Sequence, residues 1–413
     1  MTSAELRAAG QLGGHALEGM VSRVEQVHRA VAGRAVGPLH EAAEPARIIH
    51  DAVARGVYAT VRGASSAAGS MSGRVASRFG TGNRAAGGNL ALAMLAAVNA
   101  VAGDRLGPDL APLAIKMAVR AGEQDVDLVT EELAAAFPQP TARLAVFVHG
   151  LSETDRSWHR KAAAHLPYGP RLHADFGYTP VYLRYSTGRH VSDNGRNLAD
   201  LLDRLLASWP VQVRDVVLVG HSMGGLVVRS ACHYGTQASA LWAQRLRQVF
   251  YLGSPHMGAP LAGAAGLAGL TPGKTPETRP FVTLVNGSSS GIKDLRYGYL
   301  PSVDWDGCDQ DSCLLDHRSD VPLLSEAGHF AVSATVTADP ASPVGAVAGD
   351  LLVQPASAQG SRRGRQHIPF PGRRGLGGMH HFDLLNHPAV WAAMRDILDR
   401  AGRWPGPAAS TGS

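Results

Sequence analysis

The stretch Gly220-His221-Ser222-Met223-Gly224-Gly225 follows the apolar run Asp215-Val216-Val217-Leu218-Val219 and precedes Leu226-Val227-Val228-Arg229-Ser230-Ala231-Cys232. It reads as strand, sharp turn and helix, with a serine at the turn in the pattern G-x-S-x-G. The glycines have a chemical reason. A serine projected from so tight a turn has a strained backbone, and side chains two positions away would collide. A helix opening there also aims its first backbone amides at negative charge developing on a bound carbonyl. Ser222 is therefore the candidate nucleophile. The bare pattern recurs at Gly287-Ser288-Ser289-Ser290-Gly291, but the following Lys293-Asp294-Leu295-Arg296-Tyr297-Gly298-Tyr299-Leu300-Pro301 is a poor helix. Context favours Ser222 over Ser289.

Outward from this turn the chain alternates. Leu144–Val148, Pro180–Tyr185, Gln248–Gly253 and His329–Thr337 are short apolar runs. Between them, Leu198, Leu201, Leu202, Leu205 and Leu206 recur at helical spacing, and a last helix is expected over Pro388–Ala401. Strands apolar on both faces and alternating with helices predict an α/β fold with a mostly parallel central sheet. Residues 254–327, rich in Gly, Pro and Asp, break the rhythm and read as a cap or lid insertion. Before the sheet, residues 1–138 read as a helical N-terminal region. Its helices are marked by Leu17, Met20, Val21, Val24, Val27 and Val31, by Ile48, Ile49, Val53, Val57 and Val61, and by residues 89–102; a small-residue linker lies between Gly63 and Gly88. The catalytic domain is expected over 139–405, with 406–413 a flexible tail.

Acyl chemistry at Ser222 requires two amide donors, a base and an acid. Met223, after the serine, supplies one amide. Leu151, in His149-Gly150-Leu151 directly after an earlier strand, supplies the other. Of eighteen histidines, those downstream and before the last helix are best placed: His381 first, then His380 and His387. Asp350, in Gly349-Asp350-Leu351-Leu352-Val353, is the choice of acid, with Asp339 the rival and Asp383 too close to His381 in sequence to reach around.

The bulk numbers exclude other classes. A net charge of +5 over 413 residues, with four lysines, gives no footing for nucleic-acid binding. No recognised metal-ligand spacing or cofactor motif appears, so neither metal nor cofactor is expected. Three cysteines are too few for a disulfide framework. Cys308 and Cys313 are read as free thiols. Without a basic, apolar leader at the N-terminus, the expected location is cytoplasmic. The apolar run Leu90–Val101 is shorter than the ~20 residues that span a bilayer.

With these pieces assembled, the chain resembles bacterial lipase/esterase α/β-hydrolases. The branch it is most similar to includes GPI-inositol deacylases and triacylglycerol lipases. Val148-His149-Gly150-Leu151, the Ser222 turn, Gly253-Ser254-Pro255-His256-Met257-Gly258-Ala259-Pro260-Leu261 and His381-Phe382-Asp383-Leu384-Leu385 carry the likeness, which extends over about residues 143–400. It implies an α/β-hydrolase fold and a Ser222, Asp350, His381 set, with His256 lining the pocket rather than moving protons. The chain departs from the family in having Leu351 where glycine usually follows the aspartate. Hydrolysis of a small-molecule or lipid ester is the expectation. The alternatives are acyl transfer by the same residues, or a membrane- or partner-binding protein on a hydrolase scaffold. For the last, peripheral contact through Arg362, Arg363, Arg365, Arg373 and Arg374 is set against their being a solvated loop. The resemblance carries no indication of oligomeric state.

Overall fold

The computed structural model describes residues 84–106, 113–162, 164–259, 289–307, 317–361 and 368–401. The chain divides into two compact units, one of residues 99–261 with 289–413 and the other of residues 1–98 with 262–288. The first holds an eight-stranded sheet in the order β2-β1-β4-β3-β5-β6-β7-β8. Its strands are β1 (Ala118–Ala121), β2 (Gln124–Val126), β3 (Arg143–Val148), β4 (Thr179–Arg184), β5 (Asp215–His221), β6 (Leu246–Leu252), β7 (Gly328–Ala334) and β8 (Gly372–Leu376). From β3 onward all neighbours are parallel, as the apolar runs predict.

Burial explains why these runs form strands. In β3, Leu144, Val146 and Val148 belong to one core cluster, and Ala145 and Phe147 to another. In β5, Val216 and Leu218 alternate in the same way with Val217 and Val219. All nine are fully buried. Each large side chain so placed contributes roughly 1.5–3 kcal/mol through loss of water contact. The first cluster is roofed by the helices Val191–Ser208 and Met223–Gln237, through Leu198, Leu202, Leu205, Leu226 and Val227. The second is roofed by Tyr168–Phe176 and Pro388–Ala401, through Tyr168, Leu172, Val390, Trp391 and Met394. The predicted final helix and the leucine-striped helix are both present.

The order of strands positions the site. After β3 the chain moves to β4 on one side; after β4 it returns to β5 on the other side of β3. The loops leaving the carboxyl ends of β3 and β5 therefore diverge, and a crevice opens where they part. Gly150 follows β3 and Ser222 follows β5 at that point.

Three expectations change. Residues 118–126, assigned to a helical N-terminal region, form an antiparallel hairpin whose β1 pairs with β4. The sheet thus begins before residue 139. The stretch is short and charged, and it is held partly by Arg120, whose Nε lies 3.8 Å from the buried Asp155, itself bound 2.6 Å from Arg184 Nε. Arg373 and Arg374, read as part of a loop, lie in the edge strand β8. The helix expected over 89–102 starts earlier, at Arg84. The two earlier helices, most of the small-residue linker, Cys308, Cys313, Arg362, Arg363, Arg365 and the tail lie outside the described residues. Of the 254–327 insertion, the helix Ser290–Tyr297 and the turn Ser302–Asp304 are described. Among the described residues no helix is long and apolar enough to cross a membrane.

Removing residues 1–138 would strip the hairpin and expose the β4 edge, an aggregation hazard. A chain starting at residue 139 is expected to elute as aggregate in size-exclusion chromatography. A monodisperse peak would show that the hairpin is dispensable.

Candidate active site

Ser222 stands between β5 and the helix Met223–Gln237 with φ 52° and ψ −123°. Such a backbone is costly for any residue but glycine, so its surroundings must impose it. Ser222 N–H donates to the Leu252 carbonyl at 2.8 Å, and Gly225 N–H donates to the Ser222 carbonyl at 3.1 Å. The helix packs tightly against the loops below it. A Cβ on Gly224 would stand 2.1 Å from the Val148 carbonyl oxygen, and one on Gly225 would stand 1.9 Å from Ser254 Oγ. The glycines of the motif are thus required by close approach. Ser222 itself is partly exposed. Ser289 differs in every respect: its φ is −65°, it is fully buried, and its Oγ donates to the Ala100 carbonyl at 2.5 Å. It precedes the helix Ser290–Tyr297, where the sequence suggests a poor helix, and its hydroxyl ties that helix to Ala100 of the helix Arg84–Ala102.

The turn after β3 uses its amides selectively. Gly150 N–H donates to Glu153 Oε2 at 2.7 Å, Ser152 N–H to Thr187 Oγ1 at 3.3 Å, and Glu153 N–H to the Gly150 carbonyl at 3.2 Å. Among the described residues, Leu151 N–H has no acceptor, and neither has Met223 N–H at the first turn of its helix. These are the two amides expected to serve as oxyanion donors. His149 shapes the turn. Its Nε2 accepts from Tyr185 N–H at 3.3 Å, so the ring hydrogen sits on Nδ1 and donates to the Gly150 carbonyl at 2.9 Å. Burial pushes the His149 imidazole below its ordinary pKa and favours this neutral form.

Asp350 and His381 come together as predicted, with Nδ1 of the ring 2.7 Å from Asp350 Oδ2. Both are buried. The other carboxylate oxygen of Asp350 accepts from Leu352 N–H at 3.0 Å and Val353 N–H at 2.8 Å, and His381 N–H donates to the Asp350 carbonyl at 2.9 Å. Burial alone would lower the His381 pKa. The charge and hydrogen bond of Asp350, with the charge of Glu153, overcome this and raise it above 6.5. His381 lies beside the elbow: its ring is 4.7 Å from that of His221, and its carbonyl oxygen is 3.3 Å from His221 Nε2. Among the described residues no hydrogen bond joins Ser222 Oγ to His381. Such contacts often tighten only when substrate is bound.

The rivals are engaged elsewhere. Asp339 is exposed and accepts from Ala341 N–H at 2.9 Å. Asp383 pairs with Lys161 and, at 3.2 Å, with His380 Nε2. His387 Nδ1 accepts from Ala389 N–H at 3.2 Å. His256 is buried among Tyr251 and Phe370. Burial first, then Arg229 and His329, hold its pKa well below 6.5.

Two features escape sequence reasoning. One is the acid turn: Leu351, standing where the family has glycine, adopts φ 81°, the left-handed region that a glycine would enter freely. The other is a second carboxylate–imidazole pair, Glu153 with His221, whose Oε2 and Nδ1 are 3.0 Å apart. A glutamate three residues after Gly150, and a histidine at the variable position of the elbow, were the available signals.

This sheet order, a serine on a strained strand-to-helix turn and a buried Asp–His pair are the arrangement of an α/β-hydrolase fold. Residues 173–269 match the family model of the PGAP1-like alpha/beta domain. No curated protein sequence matches the chain. Among solved structures, it is similar to the mature lipase BlEst2 of Bacillus licheniformis, with 18% identity over 62% of this chain and 91% of that one, TM-score 0.41. It is also similar to lipase B of Aspergillus fumigatus, with 14% identity over 70% and 61% of the two chains, TM-score 0.36. A third likeness is to the esterase PF2001 of Pyrococcus furiosus, with 15% identity over 63% and 82%, TM-score 0.34.

The left-handed leucine can be tested. A β-branched residue tolerates positive φ worst, so Leu351→Val is expected to be less stable than Leu351→Gly by about 1–2 kcal/mol in urea unfolding. Equal midpoints would show that the turn relaxes freely.

Proposed function

We propose that the protein hydrolyses carboxylic esters through Ser222, His381 and Asp350, with the amides of Leu151 and Met223 as oxyanion donors. The observation that carries this reading is the strained, partly exposed Ser222 beside a buried His381–Asp350 pair at 2.7 Å. With Nδ1–H bound to Asp350, Nε2 of the neutral ring is the nitrogen free to act as base. Ser222 Oγ gives its proton to that nitrogen as it bonds to the acyl carbon, and the carbonyl oxygen takes the negative charge between the two amides. When the tetrahedral species collapses, the alcohol leaves with the proton from His381. Water then repeats the sequence on the acyl-enzyme and frees the acid. Asp350 keeps the ring in the required tautomer and stabilises its charged form. Lipid esters are the substrate class we put forward. The support is the match of residues 173–269 to the PGAP1-like alpha/beta domain, together with the resemblance of the Ser222 turn and of Gly253–Leu261 to lipases.

A series of p-nitrophenyl esters from acetate to palmitate tests both parts. Turnover is expected to peak at longer acyl chains, and Ser222→Ala to lose it by about ten-thousand-fold or more. Persistence of activity in that variant would overturn the serine mechanism, and an optimum at acetate would overturn the lipid assignment.

The pH profile supplies a separate check. The base must be neutral in the free enzyme, and its raised pKa keeps it protonated above pH 6.5. As pH falls, kcat/KM is therefore expected to drop with a midpoint above 6.5. Asp350→Asn removes the attraction that holds the proton, so the midpoint should move down while kcat falls about ten-thousand-fold. A midpoint unmoved by that change would remove Asp350 from the role.

A further inference from the structure

Glu153 is not needed by any step above, yet it is one of the most constrained groups in the site. It is 8% exposed. A single oxygen, Oε2, accepts from Gly150 N–H at 2.7 Å and from His221 Nδ1–H at 3.0 Å. Burial works to raise the pKa of this carboxyl. The charge and hydrogen bond of His221, with the Gly150 amide and His149, prevail and hold it at about 2. The group is thus a carboxylate at any working pH, and His221 Nδ1 must be the donor of the shared hydrogen bond. The opposite ring nitrogen of His221 faces the His381 carbonyl oxygen at 3.3 Å. One carboxylate consequently joins the turn after β3 to the residue before the proposed nucleophile.

As a device for stability alone this arrangement is a poor choice. A buried charge pays heavily for desolvation, and apolar side chains of similar size commonly serve a fold as well or better. Here Oε1 has no hydrogen-bond partner among the described residues, so even the compensation is incomplete. What the carboxylate does secure is orientation. By taking the Gly150 amide it fixes the His149–Gly150 peptide, and the N–H of Glu153 itself holds the Gly150 carbonyl of the next peptide, the one that carries the Leu151 amide. By holding the His221 ring, it sets that turn against the elbow that carries Met223. The two proposed oxyanion donors sit on separate loops, and Glu153 is bonded to both loops.

We infer that Glu153, with His221 as its partner, is a positioning residue that holds the Leu151 amide in register with the Met223 amide over the Ser222 elbow. This rests on the ester-hydrolase reading given above. The Glu153→Leu side chain has a similar size but accepts no hydrogen bond from the Gly150 amide or from His221. Because the oxyanion forms only after attack, misplacing its donors lowers kcat while leaving ground-state binding alone. Loss of one complete donor costs about 10²–10³ in kcat; a displaced one should cost about 10–100-fold.

The test measures kcat and KM of Glu153→Leu on the preferred p-nitrophenyl ester, per mole of folded enzyme, beside native protein and Ser222→Ala. The expected result is a kcat lower by about 10–100-fold with KM within about twofold. A kcat within about twofold of native, or a raised KM with kcat intact, overturns the positioning role. Ser222→Ala separates the two proposals: activity surviving there removes the hydrolase mechanism, whereas its loss leaves the Glu153 result to stand or fall alone. Should Glu153→Leu fail to fold, His221 carries the same question. His221→Asn keeps a donor near the Nδ1 position and should retain kcat within about threefold, while His221→Leu should lose about tenfold or more. Equal kcat in these two variants overturns the inference.

Discussion

The structure depends on one strained residue. Ser222 is held at φ 52° and ψ −123°, and no feature of its own side chain favours that state. Three neighbours impose it: the Leu252 carbonyl, the Gly225 amide, and the close passage of Gly224 and Gly225 over the ends of β3 and β6. Strain of this kind is of the order of 1–3 kcal/mol and persists only because the sheet beneath is rigid. The fully buried strands β3, β5 and β6 provide that rigidity. The fold is therefore a clamp on a single backbone conformation, and the reacting groups are arranged around what that conformation presents.

Around the serine, the acidic groups have divided duties. Asp350 is bonded to the ring that can move a proton, and two backbone amides hold its second oxygen. Glu153 is bonded to a ring that precedes the nucleophile and to the turn that offers Leu151. Asp383 reaches neither ring at the centre; it ties the histidine loop to Lys161 and caps His380. Position and partners, rather than residue type, separate these three carboxylates.

The same physical logic decides what could be read from the sequence. Strands buried on both faces must be apolar throughout, so β3, β5 and β6 announced themselves, and the glycines of the elbow are forced by close approach. Asp350 and His381 were legible through order along the chain and family likeness, and they lie in hydrogen-bond contact as expected. The hairpin at 118–126 was not legible, because edge strands bury little and Arg120, Glu123 and Asp125 give no apolar alternation. Gly372-Arg373-Arg374-Gly375-Leu376 hides an edge strand for the same reason. Glu153 was illegible in a different way. A glutamate in a loop is ordinarily solvated, and only the three-dimensional convergence of β3, β5 and the histidine loop takes it out of water. Leu351 reverses the usual signal, since a left-handed turn is written there with a branched apolar residue.

The placement of the proposed acid and base has a consequence for the order in which the molecule is made. The nucleophile turn is complete once β3, β5 and β6 have paired, all within the first part of the sheet to be synthesised. Asp350 and His381 follow β7 and flank β8, and they meet only when those last strands are in register. Parallel pairings of this kind must first overcome the entropy of closing long loops. Under the proposed mechanism, a partly folded or truncated chain carries the serine without its base and is chemically silent. Reactivity is acquired in the closing step of folding rather than gradually, so the appearance of a reactive serine would report on completion of the whole sheet.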